Sequence, residues 1–110
     1  MKIIVNKIIP FKGYIALTIF NRIFVNEKLK DKFTNIVENH ERIHLNQQKE
    51  LGNIKFLILY LWEYFVNLLI YKNHQLAYRN ISFELEAKTN EQNLNYLKTR
   101  EKYAYKKYKN

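Results

Sequence analysis

One stretch decides the fold, residues 31–51, which reads DKFTNIVENHERIHLNQQKEL. Its apolar residues recur at helical spacing, and Gly52 follows directly as a stop signal. On a helical wheel His40 and His44 lie about 40° apart, inside the apolar stripe of the helix. We therefore predict a central helix over 31–51, with Asp31 as its N-cap and both histidines turned inward.

The middle of this helix carries the pattern His40-Glu41-Arg42-Ile43-His44. Helical residues four apart lie one above the other, so both imidazoles can reach one metal ion while Glu41 stands beside the open coordination position. The chain has no cysteine, which leaves imidazole and carboxylate groups as the available ligands. The pattern predicts a zinc site with His40 and His44 as ligands.

A catalytic zinc site needs a third protein ligand and leaves its fourth position to water. The candidates are His74 and the carboxylates of a predicted third helix downstream. Glu84, in the first turn of that helix, is the first choice, and Glu91, on the same flank of its apolar stripe, is the reserve. Glu86 lies on the opposite flank, and the choice among the three glutamates stays open on spacing alone.

This combination resembles the gluzincin zinc metallopeptidases, in which H-E-x-x-H is followed some tens of residues later by a helix carrying Glu-x-x-Ala. Similar motifs occur in the HtpX and CAAX-processing type, in the ImmA/IrrE type, and in small bacterial H-E-x-x-H-x-x-Q proteins, whose glutamine corresponds to Gln47. The resemblance covers about residues 36–91. It implies that Glu84, three residues before Ala87, is the third zinc ligand.

The resemblance also implies a minimal zincin-like core and a peptide or protein substrate. Bound zinc lowers the pKa of a water and polarises the substrate carbonyl, and Glu41 accepts the water proton and passes it to the leaving amine. Tyr78, Arg79 and His74 lie between the second and third predicted helices. They are candidates to donate a hydrogen bond to the oxyanion or to orient a metal-binding histidine.

Residues 1–27 are rich in β-branched residues, and segments 2–9, 14–20 and 23–25 predict three short strands in a small antiparallel sheet. In zinc peptidases an edge strand beside the metal-binding helix commonly lines the substrate cleft, a role that 14–20 or 23–26 could fill. We therefore expect one α+β, mostly helical domain over 1–110, in which the small sheet precedes about three helices.

Residues 53–72 form the most apolar segment and predict a second helix. Its polar residues share one side of the helical wheel, and the remaining arc is broadly apolar. These polar residues are Tyr60, Glu63, Tyr64, Asn67 and Tyr71. Three interpretations stay open: a buried core helix, a helix that is half-embedded in a membrane or forms a homodimer, and a membrane span.

The third predicted helix begins at Phe83, after Ser82 as its N-cap, and continues through a basic tail to 109. The chain has a formal net charge of +9, and the tail from Lys98 onward concentrates part of it. Such a tail, together with the apolar helix 53–72, could meet an anionic membrane surface. Nucleic acid is a less favoured partner because no nucleic-acid-binding fold is recognisable.

The absence of cysteine and the lack of an apolar leader predict a cytoplasmic protein, peripheral to or embedded in a membrane through 53–72. Three functions remain open at this level. The first is a zinc metallopeptidase, the second is a zinc-binding but non-hydrolytic protein of the same fold, and the third is a basic interaction module for membranes or nucleic acid.

Overall fold

The computed structural model describes residues 2–6, 14–20 and 22–109. Within them the chain is α+β and mostly helical, with a three-stranded sheet that precedes the helices, which confirms the predicted fold class. The strands are β1 (Lys2–Asn6), β2 (Ala16–Ile19) and β3 (Arg22–Asn26). The α-helices are α1 (Asn35–Leu51), α2 (Asn53–Tyr71), α3 (His74–Arg79), α4 (Ser82–Asn90) and α5 (Tyr96–Thr99), with 3₁₀ helices at Glu27–Lys32 and Ala104–Tyr108.

The sheet is mixed, with the strand order β1-β3-β2. The expected antiparallel pairing is correct for β2 and β3, but β1 pairs with β3 in parallel, in a register that runs from Lys2 opposite Arg22 to Asn6 opposite Asn26. Pairing with β2 occupies one edge of β3, so β1 pairs with the opposite edge. Alternating apolar residues do not encode strand direction. The predicted continuation of β1 over 7–9 lies outside the described residues.

The helix that carries His40 and His44 begins later than predicted. Thr34, not Asp31, is the N-cap of α1, because its side-chain oxygen accepts a hydrogen bond from the backbone N–H of Val37 at 3.3 Å. Asp31 belongs instead to the preceding 3₁₀ helix. The predicted stop is confirmed: Gly52 follows α1 with a φ of 83°, a conformation that glycine adopts without steric cost.

The predicted third helix over 83–109 is wrong beyond Asn90, where α4 ends. The side-chain amide of Asn39 donates to the carbonyl oxygens of Asn90, Glu91 and Asn93 at 3.3, 2.8 and 3.1 Å. These contacts satisfy carbonyls that a longer helix would have used, so the chain turns away. The tail then folds back, because the buried Arg100 guanidinium pairs with the carboxylates of Glu86 and Glu50.

The start of α4 also differs from the prediction, and a residue of α2 stabilises it. Ile81, not Ser82, is the N-cap residue of α4. Both the backbone N–H and the hydroxyl of Ser82 donate to the Glu63 carboxylate, at 2.7 and 2.8 Å. An acid from α2 therefore satisfies and stabilises the N-terminus of α4, which would otherwise depend on a capping side chain of its own.

The polar side of α2 faces inward. Asn67 is buried and donates to the carbonyl oxygen of Ala77 at 3.1 Å, and Glu63 faces α4. Only Phe56 and Asn67 are buried along α2, so its interpretation as a buried core helix is wrong. The helix is long and apolar enough to cross a membrane. Yet only 11% of its most apolar 18-residue segment is buried inside the protein. The polar side faces the protein because Glu63 and Asn67 find hydrogen-bond partners there.

The core that holds α4 in place is aromatic. Phe83 is fully buried and contacts Phe56 and Tyr105 at ring-centroid distances of 4.6 and 4.5 Å. Ile81 completes this cluster. The cluster ties α2, α4 and the folded-back tail together, so that the next residue along the chain, Glu84, is presented to α1 from a rigid support.

Candidate metal centre

The two histidines of the motif lie on consecutive turns of α1 and face the same point. Their ring centroids are 4.9 Å apart and their Nε2 atoms 3.2 Å apart. His44 is 6% exposed, and His40 lies closer to the surface. This arrangement follows from the four-residue spacing on a helix whose apolar stripe packs inward.

Glu84, from the first turn of α4, lies opposite both imidazoles. Its Oε1 atom is 3.3 Å from Nε2 of His40 and 3.2 Å from Nε2 of His44. The ligand atoms of these three residues all lie within 4.8 Å of one another, so the group could hold a metal ion. The structure thus brings together the two motif histidines and the glutamate that was the first choice for third ligand.

The outer ring nitrogen of each histidine identifies its tautomer. Nδ1 of His44 is 2.8 Å from Oε1 of Gln47, whose Nε2 is committed as a donor to the Phe83 carbonyl oxygen. Nδ1 of His40 is 2.9 Å from a carboxylate oxygen of Glu91. Both partner oxygens are acceptors, so both Nδ1 atoms carry a proton and donate. In the neutral form of each ring, the Nε2 atom that faces Glu84 is therefore left with a free lone pair.

Three acceptors then converge on one point: two imidazole lone pairs and one carboxylate oxygen. Such a set is repulsive unless a cation or a proton lies among them. For tetrahedral zinc with bonds of about 2.1 Å, the edges between ligand atoms would be about 3.4 Å. The observed edges are 3.2, 3.3 and 3.2 Å, so the three residues fit a small tetrahedral ion without rearrangement.

The close approach of Glu84 to the two histidines also shifts the pKa values of His44 and Glu84. Burial, the largest single effect, lowers the pKa of the His44 imidazole, but the charges of Glu84 and Glu41 and the hydrogen bonds with Glu84 and Gln47 together outweigh burial and raise the pKa to about 9. Burial alone would raise the pKa of Glu84, yet its interactions with His44 and, to a smaller extent, His40 hold that pKa well below its usual range. Without a metal, a proton on His44 therefore takes the position among the three acceptors at neutral pH.

Glu41 lines the same cavity as His44 and Glu84 and is held by β2, an edge strand among the described strands. It is 7% exposed, and its Oε1 atom accepts a hydrogen bond from the Thr18 hydroxyl at 2.8 Å. The strand itself is anchored to α1, because the Gln48 side chain donates to the carbonyl oxygen of Thr18 at 2.7 Å. The predicted proton acceptor is thus oriented by a residue of β2.

A cavity of about 260 Å³ opens over this group between β2, α1, α2 and α4. Its polar wall is formed by Glu41, His44, Gln48, Tyr60, Tyr78 and Glu84. The rest of the lining is largely apolar and includes the edge strand and Phe56 and Leu57 of α2. The cavity therefore offers an apolar pocket next to a potential metal site, an arrangement typical of ligand-binding clefts.

Two tyrosines frame Glu84 at the cavity wall. The Tyr60 hydroxyl donates to Oε2 of Glu84 at 2.7 Å, leaving Oε1 directed at the histidines. Burial, followed by the charge of Glu84, raises the pKa of Tyr78 well above its usual range. Tyr78 therefore stays protonated throughout the physiological range and can donate a hydrogen bond into the cavity.

The remaining predicted site residues have other surroundings. Glu91, the reserve ligand, contacts the outer nitrogen of His40, and Glu86 is fully buried against Arg100, away from the histidines. His74 lies between the hydroxyls of Tyr14 and Tyr64 and does not line the cavity. Arg79 is exposed and does not line it either.

Sequence reasoning missed Thr18 and Tyr60. Thr18 is a small hydroxyl within an apolar strand, and its interior-facing position in the alternating pattern of β2 was a weak signal for a buried partner. Tyr60 belonged to the recognised polar side of α2, but nothing in the sequence identified Glu84 as its acceptor.

Comparison of the chain with protein-family models, with curated proteins and with solved structures gives no match. Function is therefore inferred from the chemistry of the site.

Proposed function

We propose that this protein is a minimal zinc-dependent metallopeptidase that hydrolyses peptide bonds in the cavity over His40, His44 and Glu84. One observation carries the proposal: two imidazole lone pairs and a carboxylate oxygen converge with mutual distances of 3.2–3.3 Å. Two imidazoles with one carboxylate are a donor set that suits zinc, whereas Mg²⁺ and Ca²⁺ favour oxygen ligands throughout.

The residues around the group support hydrolysis over simple metal storage. When bound, zinc would lower the pKa of a coordinated water and polarise the substrate carbonyl. Glu41, oriented by Thr18, would take the proton from the attacking water and deliver it to the leaving amine. Tyr78, which remains protonated, would donate a hydrogen bond to the developing oxyanion.

The edge strand offers a way to align a peptide. Among the described strands β2 is at one edge of the sheet, and residues 16–19 line the cavity. An extended substrate could add to this edge through main-chain hydrogen bonds. The Thr18 carbonyl already accepts from Gln48, so the other free backbone groups of the strand would carry that pairing.

The direct test is digestion of a mixed peptide library, with products identified by mass spectrometry. We expect cleavage by the purified protein, loss of cleavage after metal removal by a chelator, and recovery with one equivalent of zinc but not with magnesium. Stoichiometric zinc without any cleavage would contradict the peptidase and favour the non-hydrolytic zinc protein. Absence of zinc binding would contradict both.

Zinc affinity is expected to rise with pH up to about pH 9, by about tenfold per pH unit. The reason is that zinc must displace the proton held on His44, whose pKa is raised to about 9. The folding stability of the metal-free protein should instead fall as pH rises over this range. The stability contributed by protonated His44 is fully present below about pH 6.5, its ordinary pKa, and is lost as pH rises through 9.

Calorimetric titration with zinc chloride in two buffers of different ionisation enthalpy measures this proton release. Close to one proton should leave per zinc ion bound at pH 7. A zinc affinity that is independent of pH between 6 and 9 would contradict the assigned ligand set.

A further inference from the structure

The outer face of α2 is apolar and exposed. Trp62 is 68% exposed and Leu69 79%, and further large apolar side chains on the same helix are between 42% and 73% exposed. These are Ile54, Leu57, Ile58, Leu61, Phe65 and Ile70. Most recur three or four residues apart and so form one continuous stripe along the helix, which we call the α2 outer face.

The α2 outer face is large enough to indicate that another molecule, the occupant of this face, covers it. At 1.5 Å per residue the 19-residue helix is about 28 Å long, so its apolar stripe is far larger than the scattered apolar residues of an ordinary surface. The opposite side of α2 cannot be lipid-exposed, because Glu63 and Asn67 are bonded to the protein interior. An occupant must therefore cover one side of the helix only, which argues against a span surrounded by lipid.

Charge indicates which occupant fits. Lys55 lies near the start of α2 and Lys72 directly after its end, and both are exposed, whereas Glu63, the one acid of the helix, points inward. The apolar stripe is thus flanked by cations.

We propose that the α2 outer face docks the protein on an anionic lipid bilayer, with α2 lying in the interfacial plane. Apolar side chains would enter the acyl boundary, and the flanking lysines would contact lipid headgroups. A second copy of the chain is a poorer occupant, because each copy carries a net charge of +9 and the same flanking lysines would face each other.

Docking would also orient the cavity. Leu57 belongs both to the α2 outer face and to the cavity lining, where the exposed side chains of Leu17 and Phe20 lie as well. The cavity mouth would then lie at the level of the lipid interface. If the proposed function holds, its substrates are apolar peptide segments at a membrane surface; the docking itself does not depend on catalysis.

The test uses the chain's single tryptophan, Trp62, as its probe. Protein from detergent solution is diluted into vesicles of phosphatidylglycerol and phosphatidylcholine and floated in a density gradient, which separates bound protein from aggregates. We expect flotation and a blue shift of Trp62 emission, with partitioning at least about tenfold weaker on phosphatidylcholine alone. Replacing Ile58 and Phe65 by Ser should lower partitioning on anionic vesicles roughly 100-fold.

The matched control replaces Val5 and Leu94 by Ser, at sites that are 52% and 55% exposed but lie outside α2. This variant should float like the wild type. The proposal is overturned if the wild type stays at the bottom of the gradient, or if the α2 variant floats as well as the control. It is also overturned if sedimentation velocity reveals a dimer that the α2 variant alone dissociates, because the occupant would then be a second copy.

Discussion

Replacing Glu41 by Gln is expected to reduce peptide cleavage about 100- to 10,000-fold while zinc remains bound at full stoichiometry. The amide keeps the shape of the side chain and can still accept the hydrogen bond that the Thr18 hydroxyl donates to Glu41. It cannot accept a proton from the attacking water. Cleavage should therefore fall through kcat, with KM little changed, because Glu41 is assigned to proton transfer and not to substrate binding.

The matched control is Glu38→Gln, one turn earlier on α1. Glu38 is partly exposed and pairs with Arg42, away from the cavity lining. Its replacement should leave cleavage and zinc content unchanged. Undiminished cleavage by the Glu41 variant would remove Glu41 from the mechanism, even if the zinc site itself stood.

Replacing Glu84 by Ala is expected to weaken zinc binding by roughly 1000-fold. Structural zinc sites bind with about 10–16 kcal/mol, so one of three protein ligands accounts for about 3–5 kcal/mol. Glu84 also supplies the negative charge that raises the pKa of His44. The variant should therefore lose most of the proton release on zinc binding, as well as its affinity.

Glu91→Ala serves as the comparison within the same site. Glu91 accepts from the outer nitrogen of His40, so its loss should weaken zinc binding about 10- to 100-fold by releasing the orientation of that ring. Isothermal titration with zinc, with circular dichroism as the check on folding, measures both variants. Zinc binding that survives Glu84→Ala but is abolished by Glu91→Ala would exchange the roles of the two glutamates.

Local sequence determined the C-terminal end of α1 more completely than its N-terminal end. Gly52 stops α1 because a positive φ suits glycine, a property of the residue itself. The choice between Asp31 and Thr34 as N-cap depended on which side chain reaches a free N–H, and both residue types can cap. The end of α4 depended on Asn39, 51 residues away along the chain, which no local pattern could reveal.

The orientation of α2 could not be predicted from local sequence at all. The helical wheel correctly grouped its polar residues on one side, but it could not say which side faces the protein. A broad apolar arc ordinarily turns inward. Here the polar side turns inward because Glu63, Asn67 and Tyr60 each find a partner on α3 or α4.

The sequence by itself determined the α+β class, the helix that carries His40 and His44, and the inward direction of both rings, because helical periodicity is a local property. Only the tertiary structure decided what surrounds them. Packing brings Glu84 to the histidines and Thr18 to Glu41. Packing also places Gln47 and Glu91 at the outer ring nitrogens, where they set the tautomers. Helical periodicity determines the face of the helix on which a side chain lies, whereas the residues that contact this side chain depend on the free energy of the whole fold.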